Sequence, residues 1–273
     1  MQLTGYTNKL SVKPGETIEF YVSSKNPNYK AELVRIIHGD PNPKGPGFKT
    51  EPVASDIAGQ YPGYEQKLYG GSYVIANHNP FLNLSESFTI TGWIYPTHPG
   101  SGTSQAIITK LSKEGNKGYG LFVNKIGELS LWVGDGKESD CISSGRKLRK
   151  SNWYFVAASF DSVEGTVKIY QQPIGWTQKS ERTVVDKSIN FKQIMYTEDP
   201  LFIAASIDAN GKHQKGFNGK IENPTIYNKV VSLDDLDQLS TDSNEFIKEK
   251  VVASWDFSVG MSTQIATDIG HNG

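Results

Sequence analysis

Cysteine is almost absent from these 273 residues: Cys141 stands alone. It cannot close an intrachain disulfide or build a thiolate-cluster zinc site, and it fits a reducing compartment, where Cys141 reads as a structural thiol. Long apolar runs are missing too. No stretch approaches the roughly 18 to 20 residues that span a bilayer as a helix, and Met1-Gln2-Leu3-Thr4-Gly5 has neither a basic n-region nor an apolar h-region. The expectation is a cytoplasmic chain with no membrane partner. Excess charge is lacking as well: Lys and Arg number 28 against 29 Asp and Glu, a formal net charge of -1. No basic field exists to hold a polyanion, which excludes nucleic acid as a partner.

The five histidines, His38, His78, His98, His213 and His271, are scattered without the i, i+4 spacing of a metal pair. No strand carries carboxylates in the Glu-x-Asp-x-x-Glu order that would converge on a glycosidic bond. His38-Gly39-Asp40 precedes a Pro/Gly-rich loop, where Asp40 is expected to accept backbone amides rather than act as a catalytic partner. Asn83-Leu84-Ser85 matches a glycosylation triplet and is read as unused. No fixed-period repeat or low-complexity tract is present.

What the chain does have is 27 Gly and 13 Pro spread along its length, separating short segments rich in β-branched and aromatic residues. This is the punctuation of an antiparallel β protein. Thr17 to Val22 and Ala31 to Ile37 read as strands, and Pro41 to Gly47 as a loop. Ser72 to Ala76, Phe88 to Tyr95, Ala106 to Thr109 and Leu201 to Ala205 follow as strands, with Phe88, Ile90 and Ile94 facing inward. Gly120 to Val123 and Leu129 to Val133 form a hairpin around Gly127, which is free to take positive φ. Trp153 to Phe160 and Thr166 to Tyr170 form a second. The one convincing helix starts at Ser232, which caps it with Asp235 at the third helical position, above an apolar stripe of Leu233, Leu236 and Leu239. Val251 to Phe257 resumes as a strand.

Ser87 to Pro96, Gly118 to Asn124, Asn152 to Asp161, and Phe217 to Ile221 followed by Ile226-Tyr227-Asn228 stand in an order and spacing that resemble a laminin-G-like domain of the concanavalin A-like class. The resemblance implies an all-β jelly-roll sandwich, here with extra N-terminal strands and one short helix. It also implies loop calcium, for which Asp135, Asp140, Asp208 and Asn210 are the candidate ligands. A sugar ring stacked on an exposed aromatic is a further implication, with Trp176 the candidate beside Pro173 and Gly175. The sequence departs from that family at Glu222-Asn223-Pro224, where Pro224 predicts a kinked or edge strand.

Both ends are similar to a second family. Lys13 to Glu16, Ile37 to Pro43, Gly45 to Phe48 and Trp255-Asp256-Phe257 resemble the N,N-dimethylformamidase large subunit. That family hydrolyses a small amide on an iron held by tyrosines and a glutamate in the later part of the subunit, so the resemblance implies no iron ligand and no catalytic residue here. The expected organisation is an N-terminal β segment over 1–60, the jelly roll over 61–245, and a C-terminal strand opening a following region over 246–273. The N-terminal strands are too few to close a core of their own, and are expected to pack on the jelly roll or pair beyond Trp255. The expected function is an accessory or assembly module, with a C-terminal catalytic region or other subunits as partners. The alternative is a free-standing glycan- or protein-binding module.

Overall fold

The computed structural model describes residues 3–65, 71–175, 181–241 and 250–270. The chain divides into two compact units, Met1–Leu68 and Tyr69–Gly273.

The first unit contains β1 (Leu3–Thr7), β2 (Phe20–Ser24), β3 (Asn28–Ala31), β4 (Leu33–His38), β5 (Lys49–Val53) and β6 (Gly59–Pro62). They form three antiparallel ribbons, β1 with β2, β3 with β6 and β4 with β5, so each strand finds its partner inside the unit. The Pro/Gly stretch after β4 is the expected loop: His38 Nδ1 donates to Gly47 O at 2.9 Å and Asp40 Oδ1 accepts from Asn42 N at 2.9 Å. β5 was not legible because it carries Pro52, which is tolerated in a two-stranded ribbon. Among the described residues of this unit only Ser24 is buried. Tyr6, Phe20, Ile36 and Phe48 are each more than half exposed.

The second unit begins with β7 (Val74–Ala76), then β8 (Phe88–Pro96), β9 (Gln105–Leu111), β10 (Lys117–Val123), β11 (Glu128–Asp135), β12 (Ser139–Lys147), β13 (Tyr154–Asp161) and β14 (Thr166–Pro173). β15 (Thr183–Ser188), β16 (Leu201–Ile203), β17 (Ser206–Ile207), β18 (His213–Gln214), β19 (Gly219–Tyr227), helix α1 (Leu233–Leu239) and β20 (Val251–Ser254) complete it. Two six-stranded sheets result, ordered β12-β11-β10-β9-β16-β7 and β15-β14-β13-β8-β19-β20. β17 and β18 make a short hairpin of their own. The hairpin glycines Gly127 (φ +94°) and Gly165 (φ +69°) adopt the left-handed region that favours residues without a Cβ.

The sheets face each other across one core. Phe88, Ile90 and Ile94 of β8 meet Leu121, Leu131, Val156, Phe160, Val167 and Ile203, all essentially inaccessible to solvent. On the far side of the second sheet Phe155, Ala157, Tyr170 and Tyr227 pack against Leu236 and Leu239 of α1. Ser232 Oγ accepts from Asp235 N at 3.1 Å, as the sequence predicts. Leu233 is 36% exposed, so the helical stripe is narrower than expected. Tyr170 ties the helix down by donating to Asp237 Oδ1 at 2.8 Å.

Pro224 produces a bulge. Asn223 takes φ +46°, and the register between β19 and β8 shifts between Glu222 and Thr225. β19 is nonetheless an interior strand, because β20 pairs along its outer side, and Trp255 N donates to Pro224 O at 3.1 Å.

One buried cation interrupts the apolar interior. Lys110 is 1% exposed; its Nζ donates to Asp199 O at 2.7 Å and meets His78 Nδ1 at 3.3 Å. Loss of water lowers its pKa from 10.5 to about 8, against the opposing pull of the Asp199 carboxylate.

Two outcomes are expected. Leu121→Ala, which empties a site of zero exposure between the sheets, should cost about 2–5 kcal/mol in urea unfolding. Lys110 binds fewer protons folded than unfolded between pH 8 and 10.5, so its penalty is complete below that window and fades as pH rises through it. Relative to Lys110→Met, the wild type should gain about 2–3 kcal/mol across the window, measured by unfolding at both pH values.

Candidate functional site

The outer face of the first sheet carries an unusual floor. β10 and β11 pair Gly120 with Trp132 and Phe122 with Ser130, so Gly120, Phe122, Ser130, Trp132 and Gly134 share that face. A Cβ added to Gly120 would lie 2.6 Å from Phe122 Cε2, and one added to Gly134 would lie 2.6 Å from Trp132 Cη2. The two rings therefore lie flat over bare backbone instead of standing away from it. Phe122 is buried with Ala106 and Leu111, while Trp132 stays half-buried at the surface.

Lys215 reaches over this floor, its Nζ 5.5 Å from the centre of the Phe122 ring. Its backbone sits in the left-handed region at φ +53° and is anchored by Ala106 N, which donates to Lys215 O at 2.7 Å. Residues of the β17–β18 hairpin complete the walls of a cavity of about 240 Å³. Its lining holds two cations, Lys113 and Lys215, and one carboxylate, Asp208. Lys113 pairs with Asp199 at 3.8 Å. Among the described residues no carboxylate pairs with Lys215. Ser206, on the same wall and 1% exposed, has a side-chain hydroxyl with no hydrogen-bond partner among the described residues.

Cys141, opposite Trp132 in β12, also lines the groove. Cys141 is exposed as a residue, but local desolvation of its sulfur pushes the thiol up, against a bond with Ser130, and no histidine lines the groove beside it to take the proton. The one carboxylate of the lining is committed elsewhere: Asp208 Oδ1 accepts from Asn210 N at 2.9 Å and Lys212 N at 2.8 Å. The groove lining thus combines aromatic rings, a hydroxyl and cations, and among the described residues it brings no acid, base and nucleophile together.

The sequence-derived ligand candidates separate into different roles. Asp135 Oδ1 accepts from Lys137 N at 2.8 Å and Glu138 N at 2.7 Å, bonds to backbone amides that hold its carboxyl below the usual range. Asp140 is not in that loop but in β12, opposite Val133. Asp208 and Asn210 form the tip of the β17–β18 hairpin, where Gly211 (φ +76°) closes the turn. Among the described residues no three His, Cys, Asp or Glu side chains converge to hold a metal ion. Trp176, the sugar-stacking candidate, lies outside the described residues.

The sequence shows Trp132 only as part of a hairpin strand, and it gives no site role to Phe122, Ser206 or Lys215. A signal was present: Gly120-Leu121-Phe122 and Trp132-Val133-Gly134 each set a glycine two residues from an aromatic, on one face of a strand.

Comparison with known proteins bears on this geometry. A family model described as Laminin_G_3, concanavalin A-like lectin/glucanases superfamily, matches residues 68–237. The chain is 32% identical over 295 aligned residues to the N,N-dimethylformamidase beta subunit of Paracoccus aminophilus, covering 100% of the chain and 38% of that relative. The beta subunit from Alcaligenes sp is also 32% identical, over 97% of the chain and 37% of the relative. The chain thus spans less than half the length of these curated relatives. A solved structure of a putative carbohydrate binding protein from Bacteroides ovatus superposes with a TM-score of 0.53 at 13% identity, covering 98% of this chain and 64% of that one, a likeness of fold alone. With two antiparallel sheets closed on one core and a family match over most of the second unit, the chain belongs to the concanavalin A-like lectin/glucanases superfamily, in its laminin-G-like form.

Proposed function

We propose that this chain is a non-catalytic accessory and assembly region of a dimethylformamidase-like large subunit, with catalysis and its iron carried by sequence outside these residues. The observation that carries the reading is whole-chain similarity to two dimethylformamidase beta subunits of which it spans only 38% and 37%. The groove adds support, because it lacks a general base and an activated nucleophile.

The first unit indicates where assembly contacts would form. Its ribbons bury almost nothing, and a two-stranded ribbon is marginal in water by itself. Tyr6, Phe20, Ile36 and Phe48 present apolar surface of the kind that marks a protein interface. Under this reading the remainder of the subunit, or another subunit of the enzyme, covers them. A second reading, a ligand-binding module, is favoured by the groove beside Trp132 and Lys215.

Two experiments test the accessory reading. Sequencing the transcript past codon 273 should show the reading frame continuing into a catalytic region; a natural stop there with no such region encoded nearby would sink it. Phe20→Glu and Ile36→Glu should leave the unfolding free energy of the sandwich within about 0.5 kcal/mol of wild type. In the full-length subunit they should sharply reduce the yield of assembled enzyme on size exclusion, and an undiminished yield would count against the docking role.

A further inference from the structure

We infer that the groove on the outer face of the first sheet binds a small ring compound bearing a carboxylate, with the ring on Trp132 and the carboxylate at Lys215. This does not depend on whether the chain works inside a larger assembly.

Three independent features converge on that chemistry. The first is the floor. Trp132 is pressed flat over Gly134, since a Cβ there would meet its Cη2 at 2.6 Å, and the residue stays partly exposed within the groove. An indole face held parallel to a sheet is a platform for another ring. Phe122 lies the same way over Gly120, but its outer face is already taken by Lys215.

The second feature is charge. The Lys215 ammonium stands 5.5 Å above the Phe122 ring with no carboxylate paired to it among the described residues, whereas Lys113 is answered by Asp199 at 3.8 Å. The groove's own carboxylate, Asp208, is turned to the amides of Asn210 and Lys212. One cation in the lining is therefore unanswered, and an anion on the ligand would complete it. Left-handed backbone at Lys215 suits glycine better than lysine, yet the position carries the ammonium.

The third feature is the hydroxyl of Ser206, 1% exposed, on the groove wall and without a partner among the described residues. Buried hydroxyls are ordinarily hydrogen-bonded. A polar ligand atom entering the groove would satisfy it. The cavity of about 240 Å³ is smaller than the pockets that take drug-sized molecules, which points to a single six-membered ring.

The test is calorimetric titration of the whole chain at low salt with glucuronate and benzoate, each against its neutral counterpart, methyl glucoside and benzyl alcohol. At least one carboxylate should bind at least tenfold more tightly than its counterpart. Binding of glucuronate alone identifies a sugar acid as the source of the ring, benzoate alone an aromatic acid, and both identify the shared chemistry.

Lys215→Gly fits the left-handed backbone, and Ser206→Ala removes a group with no partner in the unliganded protein. Both variants should keep or raise the melting temperature. Lys215→Gly should abolish the preference for the carboxylate, and Ser206→Ala should weaken binding several-fold. Absence of binding by either carboxylate at millimolar concentration, equal binding of the neutral rings, or affinities unmoved in both variants would each overturn the inference.

Discussion

Burial of two inner sheet faces against each other is the constraint on which the second unit depends. Tyr154, Val156, Ala158 and Phe160 of β13 enter the inter-sheet core, while Phe155 and Ala157 point the other way, under α1. The strand is covered on both faces, and it runs apolar from Tyr154 to Ala158 without alternation before Ser159 and Asp161 bring polar groups near its end. Fully burying side chains of this size contributes about 1.5–3 kcal/mol each before the entropy of ordering is set against it. The two outer faces are then finished differently. The second sheet takes a helix, pinned by the Ser232 cap and the Tyr170 to Asp237 bond. Among the described residues no helix covers the first sheet there; Phe122 and Trp132 fold down over glycines of its own strands beside the groove.

Much of this architecture was legible in the residues. The inward face of β8, the hairpins around Gly127 and Gly165, the capped helix and the disturbance at Pro224 all rest on local chemistry that tertiary context did not override. β12, Ser139–Lys147, was missed because it is an edge strand of polar composition, and β15, Thr183–Ser188, is likewise an edge. β17 and β18 are two residues each, too short for any periodicity. The groove was harder still. Trp132 on an alternating strand reads as core unless the bare positions beside it are noticed, and the openness of Lys215 and Ser206 depends on a hairpin that sequence does not reveal. Asp135 and Asp208 sit in turns with glycine or asparagine, where the Oδ1 of each carboxylate accepts backbone amides.

The first unit shows the opposite balance. Its strands pair two by two in three ribbons, yet Tyr6, Phe20, Ile36 and Phe48 remain largely exposed. Pairing of strands and burial of side chains are separable, and only the first has been achieved there. A surface of that kind is the one the proposed assembly role would use.

The connectivity of the second sheet has a consequence for synthesis. β8 pairs with β19, Pro96 opposite Gly219, and β19 pairs with β20, Thr225 opposite Ser254. An interior strand made early thus waits for a partner made late: Ile90 and Ile94 lack their neighbours Ile226 and Ile221 until β19 has been synthesised, and β19 in turn lacks its outer partner until β20 has. Loop closure of that length slows folding and prolongs exposure of apolar strands. A nascent chain stopped before β20 would carry β19 as an open edge beside a finished core, a template for pairing with its neighbours on the same polysome.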